Sequence, residues 1–362
     1  MKKSVLFFSL ISILCFSQQK NVLVSNLRPK SENFIFPLIS LASKPNVEKK
    51  INTFLQVNEL EFIPDSGKDP FYLASTATNT YRNFVYFYVW KKLETPKNIL
   101  SLEMEGEASG AYSEHFVNYK NFDLRTGNLI NLKDLFEPEA ISEIQMLVNK
   151  QIAKEITDYT DDLKANGNSE EDKEDKEVIR MYQECLEYVK DGSLEYVEFF
   201  FGQDKITVVR GRCSNHAMRA LDDLDDYFVE LPFSRIEKYW SDYAKSLLSK
   251  NKKVTRQNTI ENKLYKGTID GKYPVTLFIK QLYDDGSFSA FYWYNKNKKL
   301  IEWSGNLKNN HISIIENDYH SEELKKWIPR AYIEADVNGR KISGTWQDYK
   351  TKKYLKLELE EL

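Results

Sequence analysis

The chain has 362 residues, which corresponds to roughly two domains of 100–200 residues. Hydrophobic residues make up 41% and charged residues 29%, a composition that fits a folded soluble protein and excludes a disordered one. The formal net charge of -3 excludes the strongly basic surface that nucleic-acid binding normally requires. Aromatic residues reach 14%, and this bias towards flat, stiff side chains favours strands.

Residues 1–17 have the pattern of a signal peptide. Met1-Lys2-Lys3 is a short basic start, and the apolar run from Val5 to Phe16 is too short to cross a bilayer. Small side chains just before Gln18 predict cleavage at that residue, so we expect an exported protein, periplasmic or extracellular. A lipoprotein anchored at Cys15 is the alternative. No later stretch of the sequence predicts a transmembrane helix.

Residues 18–248 are predicted to form an α+β domain in which helices pack on an antiparallel sheet. The predicted strands are Tyr81–Trp90, Ile99–Glu107, two short strands within Asn118–Leu132 around the turn Thr126-Gly127-Asn128, Tyr196–Phe201 and Lys205–Val209. The predicted helices begin at Pro45 and Pro138, run through Val178–Val189, and begin again at Ser234, where Glu237 completes a capping box.

A domain boundary is predicted at residues 249–263, which are polar and basic and have almost nothing to bury. Beyond this linker, residues 264–362 alternate between apolar and polar side chains. Turn signals such as Asp284-Asp285-Gly286 and Asn338-Gly339 separate the segments. The pattern predicts a small antiparallel β domain, either a barrel or a sandwich, and a helical turn at Lys325–Tyr332.

Two cysteines remain once the signal peptide is removed. Cys185 and Cys213 could form one disulfide in an oxidising compartment, or could be two separate thiols. Sequence spacing does not decide between these readings, because the geometry of the bond does.

The acidic run from Asp158 to Glu177 partly matches the spacing of a helix–loop–helix calcium site. Asp162 and Asn166 fall at ligand positions, but Lys173 occupies the final position, where a bidentate glutamate is required. The run is therefore interpreted as a solvated, mobile insertion.

Three segments of the first domain resemble a known family. They are Phe36-Pro37-Leu38-Ile39 through Ile51-Asn52, the continuous stretch Asn121–Phe136, and Asn215-His216-Ala217 through Val229–Ser234. Their order and spacing resemble an exported bacterial α+β domain of unknown function. That domain occurs in the lysozyme-sensing part of an anti-sigma factor and beside the catalytic domain of some peptidoglycan deacetylases.

This resemblance covers roughly residues 30–245, and it implies a shared fold more than a shared chemistry. Asp123 and Gly127 would shape the turn of the most specific segment. Family members often carry a Gly-Ala-His triplet before this segment, whereas this chain has Tyr112 in the third position and His115 three residues later. The paired-aspartate signature of the deacetylases is absent from the sequence. The β-rich second part resembles a module that is often appended to envelope proteins.

Candidate catalytic groups centre on two of the four histidines. His216 follows Cys213 and Ser214, but neighbours two or three residues apart rarely face one another as a nucleophile and base must. His115 lies near Glu105, Glu107 and Glu114, which could serve as acid/base groups or form a solvated strand face. Neither these histidines nor the remaining two have a zinc spacing, so no metal or cofactor is predicted.

Aromatic side chains are the candidate contact groups. Tyr and Trp on a rigid sheet suit glycan or protein contacts, whereas the alternative is that one strand face is simply core. The set comprises Tyr81, Phe84, Tyr86, Tyr88, Trp90, Tyr112 and Tyr119.

The sequence therefore predicts an exported, two-domain binding or accessory protein of the cell envelope without catalysis of its own. Its expected partners are peptidoglycan or a cell-wall-active protein such as lysozyme, and not nucleic acid. The predicted binding residues are Tyr112, His115, Tyr119, Asp123 and His216. The alternative is an envelope glycan hydrolase that uses His216 or His115 with nearby carboxylates.

Overall fold

The computed structural model describes residues 22–28, 30–72, 84–109, 113–166, 173–194, 197–249, 253–257 and 259–362. The predicted signal peptide therefore lies outside the described residues. Within those ranges, no helix has both the length and the apolar character needed to cross a membrane.

The first part of the chain combines helices with antiparallel sheets, as the sequence predicts. Its strands are β1 (Leu23–Asn26), β2 (Pro37–Ser40), β3 (Phe84–Lys92), β4 (Ile99–Ser109), β5 (Ser113–Asp123), β6 (Glu198–Phe201), β7 (Lys205–Arg210) and β8 (Tyr227–Pro232). Its α-helices are α1 (Pro45–Leu60), α2 (Ile141–Asn166), α3 (Lys173–Lys190), α4 (Phe233–Ile236) and α5 (Asp242–Leu248). Short 3-10 helices cover Leu132–Leu135, Pro138–Ala140, His216–Leu221 and Glu237–Tyr239.

Strands β3, β4 and β5 form one antiparallel sheet, and β4 has different side chains on its two faces. Leu102 and Met104 are buried in a core that includes Phe54 of α1. Glu103 and Glu105 alternate with them and therefore lie on the opposite face. Helix α1 thus covers one face of the sheet and leaves the glutamate face for other elements.

A second core lies between the sheet β6–β7–β8 and the two long helices. The sequence predicts an apolar stripe on α2 at helical spacing, and four of its members, Ile144, Val148, Ile152 and Ile156, are fully buried here, whereas Ile141 is partly buried. Helix α3 adds Met181 and Tyr182. On the sheet side, Phe199 and Phe201 of β6 point into this core, whereas Phe200 between them lies on the other face.

A disulfide joins Cys185 on α3 to Cys213 in the segment between β7 and the 3-10 helix His216–Leu221. Of the two readings that the sequence leaves open, the structure has the bonded one. The bond connects the helical layer to the segment that leads to His216.

The second part of the chain is a closed antiparallel barrel of eight strands, which resolves the predicted choice between barrel and sandwich. The strands are β9 (Lys263–Ile269), β10 (Tyr273–Leu282), β11 (Ser287–Tyr294), β12 (Ile301–Lys308), β13 (His311–Ser321), β14 (Lys326–Asn338), β15 (Lys341–Asp348) and β16 (Tyr354–Glu361). Each strand pairs with the next along the chain, and β16 closes the barrel on β9.

The barrel and α1 share a core. Inward-facing residues fill the barrel, and residues that alternate with them on its outer wall pack against α1. Phe278 on that outer wall meets Phe54 of α1 edge to face, with ring centroids 5.2 Å apart. The two parts are therefore joined by apolar packing and not merely by a linker.

A buried cluster of charges lies at the same junction. Lys50 Nζ of α1 is 3.3 Å from Glu361 Oε1 of β16, and both side chains are almost fully buried. Arg256 and Lys263 also contact the Glu361 carboxylate, at 3.3 and 3.9 Å, and Asn128 donates a hydrogen bond to it. Burial lowers the pKa of Lys50 to about 8. Burial opposes ionisation of Glu361, but the surrounding cations outweigh this and lower its pKa.

Several local predictions were wrong. Residues 249–263 do not lack buried groups, because Gln257, Ile260 and Lys263 are buried. The Gln257 amide donates to the carbonyl of Leu129 and the carboxylate of Asp134, which explains its burial.

The predicted second strand after Gly127 does not form. Asp123 O accepts the backbone N–H groups of Thr126 and Gly127, and beyond this tight turn only Leu129 bridges back to β5. A 3-10 helix then begins at Leu132, and it takes the chain away from the sheet.

The helix predicted from Ser234 is interrupted. Trp240 is extended and stacks on Phe136, with ring centroids 5.2 Å apart, so α4 cannot continue. Helix α5 has its own cap, since Ser241 Oγ accepts the backbone N–H of Ala244. Lys325–Tyr332 is not a helical turn, because most of it belongs to β14, paired with β13.

The acidic run is helical over most of its length. Helix α2 continues through Asp158 to Asn166, and α3 begins at Lys173, so these residues are not a loop insertion. Residues 167–172 lie outside the described ranges.

We predict that Glu361→Gln lowers the free energy of unfolding at pH 7 by about 3 kcal/mol, because it leaves buried cations without their counter-charge. Since the folded-state pKa of Glu361 is lowered, its contribution is present above the ordinary value of 4.5 and is lost as the pH falls below it. Urea unfolding at several pH values measures both effects. The difference between variant and wild type should shrink below pH 4.5. Glu360→Gln is the matched control, since its neighbouring carboxylate is exposed. Equal effects of the two variants would contradict the prediction.

We also predict that Cys185→Ser/Cys213→Ser lowers the free energy of unfolding by roughly 3 kcal/mol, because the bond closes a loop with a sequence separation of 28. Thermal unfolding of the wild type should shift downwards in dithiothreitol, whereas the double variant should not respond. A wild-type transition that is unchanged after complete reduction would refute this.

Candidate functional site

A cleft opens where the sheet β6–β7–β8 diverges from β5. At the closed end, Asn121 donates to the carbonyl of Phe199 over 2.7 Å and accepts a hydrogen bond from Ser101. Tyr119 then stacks on Phe200, with ring centroids 4.7 Å apart. Beyond Tyr119 towards the start of β5, the two surfaces enclose a cavity of about 450 Å³.

The walls of the cleft come from facing strands. Val117 and Tyr119 belong to β5, since residues two apart share a face. On the other side, Glu198, Val209 and Phe228 are direct cross-strand neighbours on β6, β7 and β8. Phe228 is 51% exposed although its aromatic ring lines the cavity.

The surroundings of the cleft are acidic. Glu103, Glu105 and Glu107 lie opposite Tyr119, Val117 and His115, respectively, on the same face of the sheet β3–β4–β5. Glu198 and Asp226 add two carboxylates within the cavity itself. The lining also contains Arg210, but its guanidinium donates to Asn149 Oδ1 at 2.9 Å and is partly buried. Burial lowers the pKa of this arginine.

Tyr119 is held firmly in place. Its side chain is only 8% exposed, and its backbone N–H donates to Glu198 Oε2 over 2.8 Å. Burial, with Glu103 beside the hydroxyl, raises the pKa of Tyr119 to about 12. The phenol is therefore neutral at physiological pH, and it serves as a fixed wall with a polar edge.

The structure brings His115 close to the cleft. It shares the face of Val117 and Tyr119, and its Nε2 atom is 2.8 Å from Glu105 Oε1. The histidine is partly exposed and makes this contact at the open end of β5. His115 and Tyr119 are thus two predicted binding residues on one surface.

His216 lies in a different group. Its Nδ1 atom is 3.2 Å from Glu114 Oε1, and Arg212 contacts the other oxygen of the same carboxylate at 3.9 Å. Glu114 and His115 are adjacent on a strand, so their side chains leave opposite faces. The two histidine–glutamate pairs therefore do not converge on one point.

Asp123 is separated from the other predicted binding residues. Its side chain is fully buried and forms a short-range ion pair with Arg125 at 2.8 Å. Tyr243 also hydrogen-bonds to it. The turn role that the family resemblance implies for Asp123 therefore fits its contacts, whereas contact with an outside molecule does not. Tyr112 lies outside the described residues.

Neither Cys213 nor Ser214 is placed to act as a nucleophile with His216 as its base. Cys213 is in the disulfide and has no free thiol. The Ser214 hydroxyl is buried and has no hydrogen-bond partner in the described part of the chain, so it is not activated by His216.

The predicted aromatic surface divides between core and exterior. Tyr88 is buried between Phe36 and Phe116, and Trp90 donates its indole N–H to Asn26. Tyr86 is exposed, and Tyr81 lies outside the described residues. These aromatics do not make one continuous exposed patch in the ranges that the structure covers.

The sequence did not identify Glu198, Asp226 and Phe228 as part of a site. The alternating glutamates of β4 were visible as a half-buried strand, but the partner surface follows them by about a hundred residues. Nothing in the local pattern indicates that β6–β8 faces β5. Among the described side chains, no group of three or more histidines, cysteines, aspartates or glutamates is placed to hold a metal ion.

The likeness of this chain to known proteins is structural. No family model matches the sequence. The search of curated proteins also found no match. Among solved structures, the chain is similar to a member of the DUF3298 family from Bacteroides fragilis, with 14% sequence identity and a TM-score of 0.35. The alignment covers 61% of this chain and 91% of that one.

Proposed function

We propose that the protein is an exported envelope component that binds another molecule and has no catalytic activity of its own. The observation that carries this proposal is the cleft between β5 and the sheet β6–β7–β8. It combines a fixed aromatic wall, an exposed Phe228 and an excess of carboxylates. Aromatic side chains beside complementary charges are the usual composition of a protein-binding surface.

The charge of the cleft favours a basic partner. Five carboxylates lie in or beside it. The nearby cations are Lys91, which lies opposite Glu103 on β3, Arg210, which donates to Asn149, and His115, which contacts Glu105. An acidic concave surface attracts a basic protein and repels an acidic one. We therefore propose that the partner is a basic cell-wall-active protein, for which a lysozyme is the test ligand. Peptidoglycan is the alternative partner that the same binding experiment can detect.

We predict that Glu105→Gln/Glu107→Gln weakens binding of the chain from residue 18 onwards to a basic lysozyme by about fivefold at low salt, because two surface charges each contribute a fraction of a kcal/mol. Calorimetry at two salt concentrations measures this loss. The matched control is Glu322→Gln/Glu323→Gln, which removes two exposed carboxylates from the turn between β13 and β14.

Three results would count against the proposal. If the wild-type protein bound neither lysozyme nor isolated peptidoglycan, both proposed partners would be excluded. Equal weakening by the two double variants would show a general charge effect and not a cleft. If the wild-type protein hydrolysed cell-wall substrate, and His115→Ala or His216→Ala abolished this activity, the protein would be a glycan hydrolase and the binding proposal would be wrong.

A further inference from the structure

A second cavity lies between the end of α1 and the barrel, and it shares no lining residue with the acidic cleft. Its volume is about 670 Å³, which is the range of small-molecule sites. It is formed because α1 ends at Glu61 in the left-handed conformation and the N–H of Phe62 returns to Gln56 O. This reversal turns residues 61–70 back towards β11 and β12 of the barrel.

The floor of this cavity is apolar. Leu60 and Ile63 come from the end of α1 and the loop after it, and Phe291 and Leu300 come from the barrel. Leu60, Ile63 and Phe291 are almost fully buried and support this floor from behind. The apolar surface that stays accessible in the lining belongs to the half-buried Phe62 and Leu300 and the exposed Tyr72. Such a surface binds the apolar body of a ligand through the hydrophobic effect.

Three polar groups on the rim of the cavity have no ion pair or hydrogen bond within the described residues. Lys68 and Lys299 are exposed and form no ion pair with the described residues, whereas Lys298 donates to the carbonyl of Asp65. Ser66 Oγ is shielded from solvent and has no hydrogen-bond partner within the described ranges. Among the acids of the rim, Asp69 is already neutralised by Arg28 at 2.9 Å.

Charge complementarity selects the class of ligand. With Asp69 paired, the rim holds three lysines against Glu61 and Glu302, an excess of one positive charge. We propose that this cavity binds a single-chain amphiphile with an anionic head group, whose chain lies on the apolar floor and whose head contacts Lys68 and Lys299. A free fatty acid and a lipid with one acyl chain share this chemistry. This site is independent of the proposed acidic cleft.

The test uses the chain from residue 18 onwards and dodecanoate below its micelle concentration. Calorimetry, with displacement of anilinonaphthalene sulfonate as a second readout, should show saturable binding at one site. Lys68→Glu/Lys299→Glu should weaken dodecanoate binding by about tenfold, because it replaces attraction to the head group by repulsion. Lys296→Glu/Lys308→Glu is the matched control, since it reverses two exposed barrel lysines outside the cavity. This control should bind as the wild type does.

A second variant tests the apolar floor. Leu300→Trp places a larger side chain at a half-buried position of the lining and should reduce binding of dodecanoate, with circular dichroism confirming the fold. Neutral 1-dodecanol should bind at least fivefold more weakly than dodecanoate, by the loss of one charge contact. Monoacyl phosphatidylglycerol distinguishes a lipid source from a free acid, and tighter binding of either one supports the site.

Absence of dodecanoate binding to the wild type would overturn the proposal, as would equal losses in the two charge-reversal variants. Binding of dodecanol as tight as that of dodecanoate would overturn the anionic head group. Lysozyme binding, measured on the same Lys68→Glu/Lys299→Glu protein, should stay at the wild-type level. Failure of one site is therefore distinguishable from failure of the other.

Discussion

Lys50 of α1 and Glu361 of β16 are both withdrawn from water at the junction of the helix with the barrel, and each depends on the other for its charge to be tolerated there. Desolvating either ion alone costs several kcal/mol. Arg256 and Lys263 also reach the carboxylate and help to lower the pKa of Glu361, although their charges lower the pKa of Lys50 as well. Apolar packing around Phe54 and Phe278 stabilises the contact between α1 and the barrel, but the hydrophobic effect does not by itself fix their relative orientation. The charge cluster adds the requirement that α1 meet the barrel in one orientation.

This junction and the acidic cleft occupy opposite faces of the same strands. Leu102 and Met104 of β4 contribute to the core that contains α1, and Glu103 and Glu105 point to the side of the cleft. Because the core behind them is closely packed, the glutamates are presented on a rigid support and not on a loop.

Much of the architecture is encoded in local pattern. The apolar stripe of α2 and the alternation of the barrel strands could be recognised from periodicity alone, since each reflects one buried face. The break at Trp240 could not, because it depends on stacking against Phe136, which lies about a hundred residues earlier. The sequence did not predict the cleft, although two of the predicted binding residues, His115 and Tyr119, lie on its β5 side. Its opposite wall requires β6 to pack beside β5 through the Asn121–Phe199 and Tyr119–Phe200 contacts, and the burial of Lys50 requires Glu361, so both are set by contacts distant in sequence.

The pairing of β16 with β9 has a consequence for the order of folding. Each strand from β9 to β15 pairs with the next strand along the chain, so these strands can form as a β-meander. The barrel closes only when β16 also pairs with β9. Glu361 belongs to that strand, and the partner of Lys50 is thus 311 residues away. Helix α1 is synthesised before the barrel, so the contacts of Lys50 with β16 can form only after that strand has been synthesised. Because these contacts are so distant in sequence, we expect the docking of α1 on the barrel to be a late and slow step of folding.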